Sequence, residues 1–535
     1  MVEALLQHLP ILPIVLPLLM GALLVLFENR AAKTAISIGA TVAMLAVALL
    51  MFFRTAGGEA DSVYLLGNWP APFGIVLVVD RLSALMVLLT SVLALTSLVF
   101  STARWHSVGP HFHSLFQLLL MGLNGAFLTG DLFNLFVFFE VLLAASYGLV
   151  LHGSGSARVR AGMQYIAINL AASSLFLIGV SLIYGVTGTL NMADLAVRIP
   201  QIAAENRMLF EAGAAILGIA FLVKAGMWPL SFWLPTTYAA AAPPVGAMFA
   251  IMSKVGVYVI LRLSVLLLGE GAGESARFGA DVLVYGGLAT IAFGVVGVLA
   301  SQGLARLAGF IVLVSSGTLL TIIGYENARI TAGALFYLVS STLALSCLYL
   351  LVELVERGRD ATASMLALTL EAFGDDEDPQ HEEEIGVATP IALAMLGVAF
   401  ASCVVILAGM PPLSGFVAKF AIISAVFNPE GMGANVAIPG QSWVVASFLI
   451  FAGLATMVAL LRNGINIFWV PLDAEVPRIR VIEMAPVLAL LALCVLLTIF
   501  AGPAMQYADA TAAALHVPAS YIESVLQPAI AEVQP

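Results

Sequence analysis

Residues 244–261 read PVGAMFAIMSKVGVYVIL, eighteen residues with one charge, Lys254, near the middle. A run this apolar has the length a helix needs to cross a bilayer. Two further stretches share the character. Residues 215–228, AILGIAFLVKAGMW, carry Lys224, and residues 409–427, GMPPLSGFVAKFAIISAVF, carry Lys419. These are three of only four lysines; the fourth, Lys33, reads as a loop residue, and arginine fills almost every other basic position. The difference is chemical. Arginine does not release its proton in a protein, whereas a lysine removed from water can titrate near neutral pH. A charge at the bilayer centre costs about 3 kcal/mol on insertion scales, so three such lysines point to proton movement.

The rest of the chain has the same composition. Of 535 residues, 61% are hydrophobic and 10% charged, well below the roughly 25% charged of a soluble domain. Apolar runs recur near 11–27, 34–53, 82–101, 114–129, 132–151, 162–186, 209–232, 245–268, 280–300, 306–324, 331–353, 390–427 (interrupted), 442–466 and 484–503. This predicts an all-α polytopic membrane protein of about 14 transmembrane helices, some discontinuous. The alternating ten-residue strands of a membrane barrel are absent. The first run does not read as a cleavable signal: Glu3 precedes it, no basic segment does, and Pro10, Pro13 and Pro17 punctuate it.

Basic residues set the expected orientation. With the N-terminus outside, the inner loops hold Arg30, Lys33, Arg104, Arg158, Arg160, Arg306, Arg357, Arg359, Arg462, Arg478 and Arg480. The outer segments hold Arg54, Arg198, Arg207, Arg277 and Arg329. Both termini are therefore expected outside a bacterial inner membrane. The net charge of −11 is largely one inner loop, about 356–389, with Glu371, Asp375, Asp376, Glu377, Asp378, Glu382, Glu383 and Glu384. This reads as a solvated connector or a partner-docking segment, and nucleic-acid binding is not indicated.

Cys347, Cys403 and Cys494 fall at unrelated spacings and read as small apolar fillers. His106, His111 and His113 read as an interfacial segment. No haem, iron–sulfur or phosphate-loop motif appears, so no cofactor, metal site or catalytic group is expected.

Two segments repeat. Gly226-Met227-Trp228-Pro229-Leu230-Ser231 and Gly409-Met410-Pro411-Pro412-Leu413-Ser414 share G-M-x-P-L-S, 183 residues apart. Pro229, Pro411 and Pro412 are expected to break their helices. Paired interrupted helices mark transporter cores, and broken backbone in a membrane must face protein or water. The lysines flank the breaks unequally: Lys224 precedes its G-M-x-P and Lys419 follows its own.

Glu140 lies within DLFNLFVFFEVLLAASYGLV, residues 131–150. A carboxylate at that depth needs a cation, and Lys224 is its expected partner, either as a static pair or as a coupled proton-handling pair. Lys254 has no acid within helical reach; Tyr258, four residues on, is its expected hydroxyl neighbour. Lys419 also lacks a local acid. Ser315, Ser316 and Thr318 on one span, and Ser340, Ser341 and Thr342 on the next, are either water-wire residues or small packing residues. Asp80-Arg81 reads as an interfacial anchor, and Asp131 as an N-terminal helix charge.

These residues carry a family resemblance. Phe139-Glu140, Lys224 to Pro229 with Trp233-Leu234-Pro235, Lys254-Val255-Gly256-Val257-Tyr258 with Arg262, and Gly409 to Phe416 leading to Lys419-Phe420 resemble the antiporter-like subunits of Mrp-type multisubunit cation/proton antiporters and respiratory complex I. Trp69 to Ile75, Val79 to Leu85 and a lysine at 419 resemble the D-type branch. The resemblance covers nearly the whole chain. It implies two inverted five-helix repeats, about 113–268 and 279–466, after a three-helix segment 1–112 and before a last helix and tail, 484–535. It also implies a hydrated axis through Glu140, Lys224, Lys254 and Lys419. The implied partners are the other subunits of such a complex (A, B, C, E, F and G type), protons, and Na+ or K+. Relatives often carry histidine or lysine where this chain has Ser340, so the link from Lys254 to Lys419 is expected to use water and hydroxyls. The competing readings are a proton-pumping membrane subunit of a redox complex and a transport-inactive scaffold.

Overall fold

The structure, a computed structural model, describes residues 7–58, 61–372, 391–431, 438–468 and 479–527. Helices α1 (Leu12–Leu26) and α2 (Arg30–Ala56) lead into a hairpin of β1 (Ser62–Leu65) and β2 (Val76–Val79). The strands pair antiparallel, from Ser62↔Val79 to Leu65↔Val76. Then come α3 (Arg81–Ser101), α4 (Phe112–Leu128), α5 (Leu132–Val150), α6 (Ser156–Thr187), the short α7 (Met192–Arg198), α8 (Ala204–Ala225), α9 (Leu234–Ala240) and α10 (Pro243–Leu267). The second half holds α11 (Ala280–Ala300), α12 (Leu304–Ile323), α13 (Ala328–Ala372), α14 (Ile391–Ala408), α15 (Ser414–Phe427), α16 (Gly440–Phe468), α17 (Val481–Ile499), α18 (Ala501–His516) and α19 (Ala519–Leu526).

Thirteen helices among the described residues are long and apolar enough to cross a membrane. Two shorter apolar helices, α4 and α15, complete the predicted pattern, α15 being the second half of the interrupted span. The predicted span 331–353 extends well past its expected end, to Ala372. The acidic run from Asp375 onward lies outside the described residues. Lys33 is not in a loop: it lies in the first turn of α2, and its Nζ donates to Pro110 O at 3.1 Å.

Burial sorts helices that composition cannot. The apolar windows of α10, α12 and α13 are 94% buried, whereas those of α2, α6 and α14 are at most 39% buried. The central three carry Lys254, the 315–318 hydroxyls and the 340–342 hydroxyls. A helix that is apolar all round is a core or lipid-facing helix by composition alone; its neighbours decide which.

Glycine, not proline, ends the two interrupted helices. α8 stops at Ala225 because Gly226 turns left-handed (φ 75°), and α14 stops at Ala408 because Gly409 does the same (φ 76°). At the first break Met227 N donates to Leu222 O (3.0 Å) and Gly226 N to Val223 O (3.2 Å). At the second, Met410 N donates to Val405 O (3.0 Å) and Gly409 N to Ile406 O (3.1 Å). Both are the same glycine-capped helix end, with the prolines just beyond it. The six-residue similarity is thus a similarity of backbone. The freed amide of Trp228 is taken up by Thr290 Oγ1 on α11 at 2.9 Å.

α15 then crosses close to α14. A Cβ at Gly415 would lie 1.8 Å from the Ile406 carbonyl oxygen. Gly415→Ala is therefore expected to destabilise the protein by about 1–3 kcal/mol, the usual cost of overpacking. The measurement is the thermal unfolding midpoint of the purified protein; an unchanged midpoint would contradict this close approach.

Candidate functional site

The three buried lysines lie on central or broken helices, each with a different partner. Lys224, in the last turn of α8, donates from Nζ to Asn169 Oδ1 at 2.8 Å. The same Asn169 donates back to Tyr165 O, one turn earlier on α6, at 2.7 Å. Lys224 Nζ also sits 5.8 Å from the Phe139 ring centroid. The expected direct pair with Glu140 is not formed. Glu140 Oε1 is buried without a hydrogen-bond partner among the described residues. An amide, that of Asn169, holds the ammonium instead. Asn169 carries no positional signal in the sequence, being one asparagine in an apolar span; only α6 packing against α8 brings it to the lysine.

Lys254 is fully buried. Its Nζ donates to Ser315 Oγ at 2.9 Å and Ser316 Oγ at 3.4 Å on α12. Ser315 Oγ donates to Ser341 Oγ on α13 at 3.1 Å. The neighbouring Ser340 Oγ donates to Ser414 Oγ, at the start of α15, at 2.9 Å. A cavity of about 20 Å³ lies between, lined by Ser315, Thr318, Tyr337, Ser340, Ser341 and Lys419 among others. That is room for about one water, which needs roughly 10–15 Å³ on this measure. Lys419 closes the line. Its Nζ donates to Ala408 O, the C-terminal carbonyl of α14, at 2.8 Å, where a cation suits both the free carbonyl and the helix dipole.

The unequal sequence positions of Lys224 and Lys419 thus converge in space. Lys224 stands in the last turn of its own first half-helix; Lys419 reaches back from the second half-helix to the end of the first. Between Lys224 and Lys254 the helices meet at backbone distance: a Cβ at Gly256 would lie 2.7 Å from Ala225 N.

Two expected members fall outside this line. Tyr258 does not face Lys254. Its hydroxyl donates to Phe127 O at 2.6 Å and accepts from Arg262 Nη2 at 3.3 Å. Thr342 Oγ1 donates to Leu338 O of its own helix at 2.6 Å. Thr318 does the same to Val314 O at 2.9 Å, although it lines the cavity.

Asp80 is a buried ion-pair partner and not an interfacial anchor. Its Oδ2 meets Arg262 Nη1 at 2.5 Å, across 182 residues. Oδ1 accepts from Ser83 N at 2.8 Å in a capping box that starts α3. The Arg262 guanidinium lies between the Tyr258 and Tyr521 rings, 5.5 and 5.3 Å from their centroids. Burial opposes the Asp80 charge, but the Arg262 guanidinium and the Ser83 amide outweigh it and hold the carboxyl below its ordinary value. Asp61 lines a cavity of about 70 Å³ together with Asp80, Arg262 and Tyr521, and it is pushed up to about 6 by burial and then by Asp80. Asp131 caps α5 through Asn134 N at 2.9 Å, as a helix-start charge should.

The cysteines, unrelated in spacing, are not all apart in space. Cys347 and Cys403 place their sulfurs 3.5 Å from each other, both fully buried.

Comparison with known proteins agrees with this architecture. A family model described as "NADH:quinone oxidoreductase/Mrp antiporter, TM" matches residues 129–442. The D component of a "Probable K(+)/H(+) antiporter" from Rhizobium meliloti (strain 1021) is 57% identical, covering 97% of this chain and 98% of that protein. The D component of the "Na(+)/H(+) antiporter" from Alkalihalophilus pseudofirmus is 34% identical, covering 97% of this chain and 100% of that protein. A chain in the structure of the Mrp complex from Dietzia sp. DQ12-45-1b superposes with a TM-score of 0.79 at 26% identity, covering 97% of this chain and 99% of that one. The match to the family model over more than half its length, together with these near full-length relatives, shows that this chain belongs to the NADH:quinone oxidoreductase/Mrp antiporter family of membrane proteins.

Proposed function

We propose that this chain is the proton-translocating subunit of a multisubunit monovalent cation/proton antiporter, a secondary transporter and not an enzyme. Protons pass along Glu140, Lys224, Lys254 and Lys419, and the cation, K+ or Na+, is exchanged by the assembled complex. The observation that carries this reading is the hydroxyl line from Lys254 through Ser315 and Ser341 to the small cavity at Lys419. Each hydroxyl both donates and accepts, so a proton leaving Lys254 has a hydrogen-bonded route, completed by one water. Serine at 340 fits this route, since hydroxyls and water take the place of a titrating side chain there.

The orientation follows from charge. Arg104, Arg158, Arg306, Arg357, Arg462 and Arg480 belong to one end of the bundle, tied together by Arg480 on Ala103 O and Arg357 on Glu483. The positive-inside rule supports a cytoplasmic arginine-rich end, and with it both termini outside the cell membrane.

Glu140→Gln keeps the side-chain size and removes the charge that faces Lys224. In everted vesicles from an antiporter-deficient host carrying the whole complex, it is expected to slow cation/proton exchange about tenfold, below the roughly 100-fold at which positioned proton-transfer groups begin to act. Full exchange by the assembled variant would refute the role of Glu140 and favour a scaffold.

A further inference from the structure

A groove of about 380 Å³ opens on the flank of the bundle, in the half opposite the arginine-rich end, and no lysine lines it. α8 and α11 form its sides and the C-terminal half of α10 its floor. Phe210, Leu217 and Phe221 face it from α8, Ile260 and Leu263 from α10, and Leu283 from α11. Ser264 is the one polar side chain in the lining, and its Oγ is spent on Leu261 O at 3.2 Å. The middle of the groove is open. A Cβ at Gly218 would meet no atom within 4 Å, and Ala215, Ile219 and Val282 along the mouth are exposed.

Two observations say what fills it. The first is its length. From Phe210 to Leu222 the lining follows α8 for about 18 Å, at 1.5 Å per residue. One leaflet of the hydrocarbon core is about 15 Å deep, half of roughly 30 Å. The groove is therefore one leaflet deep, and its inner end lies two residues before Lys224. The second is the charge at its rim, which has both signs. Arg277 N donates to the carbonyl of Leu268, a lining residue, at 2.7 Å, and so the arginine is fixed at the mouth. The Arg277 and Glu274 side chains are 63% and 76% exposed, and Asp281, in the first turn of α11, is exposed beside Val282.

We propose that this groove binds an acyl chain of a phospholipid with a zwitterionic, amine-bearing headgroup of the phosphatidylethanolamine kind. Its phosphate lies toward Arg277 and its ammonium toward Asp281 and Glu274. A purely anionic headgroup would bring like charge to those carboxylates. The chain fills the space between α11 and the half-helix that carries Lys224, where an empty groove would forfeit packing on both sides. This site is separate from the lysine line and does not depend on the proton-translocating reading.

The test uses the complete complex, purified in mild detergent from vesicles of equimolar phosphatidylethanolamine and phosphatidylglycerol, with the retained lipid identified by native mass spectrometry. Gly218→Leu puts a side chain into the open groove and replaces a poor helix former, so a purely structural reading makes it neutral or stabilising. It is expected to lose a phosphatidylethanolamine that the wild-type complex retains. Asp281→Lys reverses the charge at the rim and is expected to shift the lipid held there by at least about fivefold toward phosphatidylglycerol, the scale of one charge at a membrane surface. A photoreactive benzoylphenylalanine in place of Ile219, illuminated in the vesicles, is expected to attach to phosphatidylethanolamine that stays with the complex through purification. An unchanged lipid complement in Gly218→Leu would overturn the proposal, as would loss of the two lipids in equal share. Attachment of the label to a neighbouring subunit would overturn it too, because protein would then fill the groove. If Gly218→Leu does not assemble, the Asp281→Lys exchange of lipids and the label decide.

Discussion

Lys254→Ala in the complete complex is expected to lower cation/proton exchange by at least about 100-fold, the scale on which positioned proton donors and acceptors act. The ammonium has three donors and, in this structure, two recipients, Ser315 and Ser316. Alanine removes the ionisable group that reaches this hydroxyl line from α10, and water cannot supply the same localised charge. Lys254→Arg is expected to be as inactive as alanine. Arginine keeps the positive charge but does not release a proton, and its longer planar head has no space in a site this buried. The readout is dye-monitored exchange in everted vesicles at matched complex abundance. Exchange by the arginine variant at the wild-type rate would exclude proton release from residue 254 and reduce the lysine to a fixed charge.

The second large effect is on stability. Asp80→Ala leaves the Arg262 guanidinium buried between two tyrosine rings with no carboxylate, a change that costs about 3–5 kcal/mol. It also removes the cap at the start of α3. The expected result is a sharp fall in folded chain, measured as detergent-resistant protein and thermal midpoint. Acid should approach the same end point. The Asp80 carboxyl is held below its ordinary 3.8 in the folded state. Its contribution is therefore complete above that value and is lost as pH falls through the lower folded value. A wild-type midpoint in Asp80→Ala would mean that the pair contributes little and that Arg262 finds another partner.

Much of the site was legible from sequence because the membrane makes charge conspicuous. In an apolar span Lys224, Lys254, Lys419 and Glu140 stand out with no alignment, since each costs free energy to place there. The glycine-proline breaks were legible for a related reason: G-M-x-P-L-S twice in one chain is a backbone instruction, although glycine and not proline proved to end each helix. Partnerships were not legible. Lys224 meets Asn169 instead of Glu140, and Tyr258 serves Arg262 instead of Lys254. Asp80 finds Arg262 across 182 residues. An asparagine or aspartate in a sequence states a hydrogen-bonding capacity, and only helix packing states which group satisfies it.

Composition and hydrophobic run length by themselves determined the helical membrane class, about fourteen spans, the two broken helices and the identities of the buried charges. These follow from the local cost of exposing backbone or burying charge in hydrocarbon, a cost each segment bears whatever its neighbours are. The tertiary structure alone decided which apolar helices are central, that Lys419 reaches back to the end of α14, and that Ser315, the acceptor of Lys254, shares a small cavity with Ser340, Ser341 and Lys419. Those features depend on contacts between segments tens to hundreds of residues apart, and helices of nearly uniform apolarity carry no periodic mark of which face meets which partner.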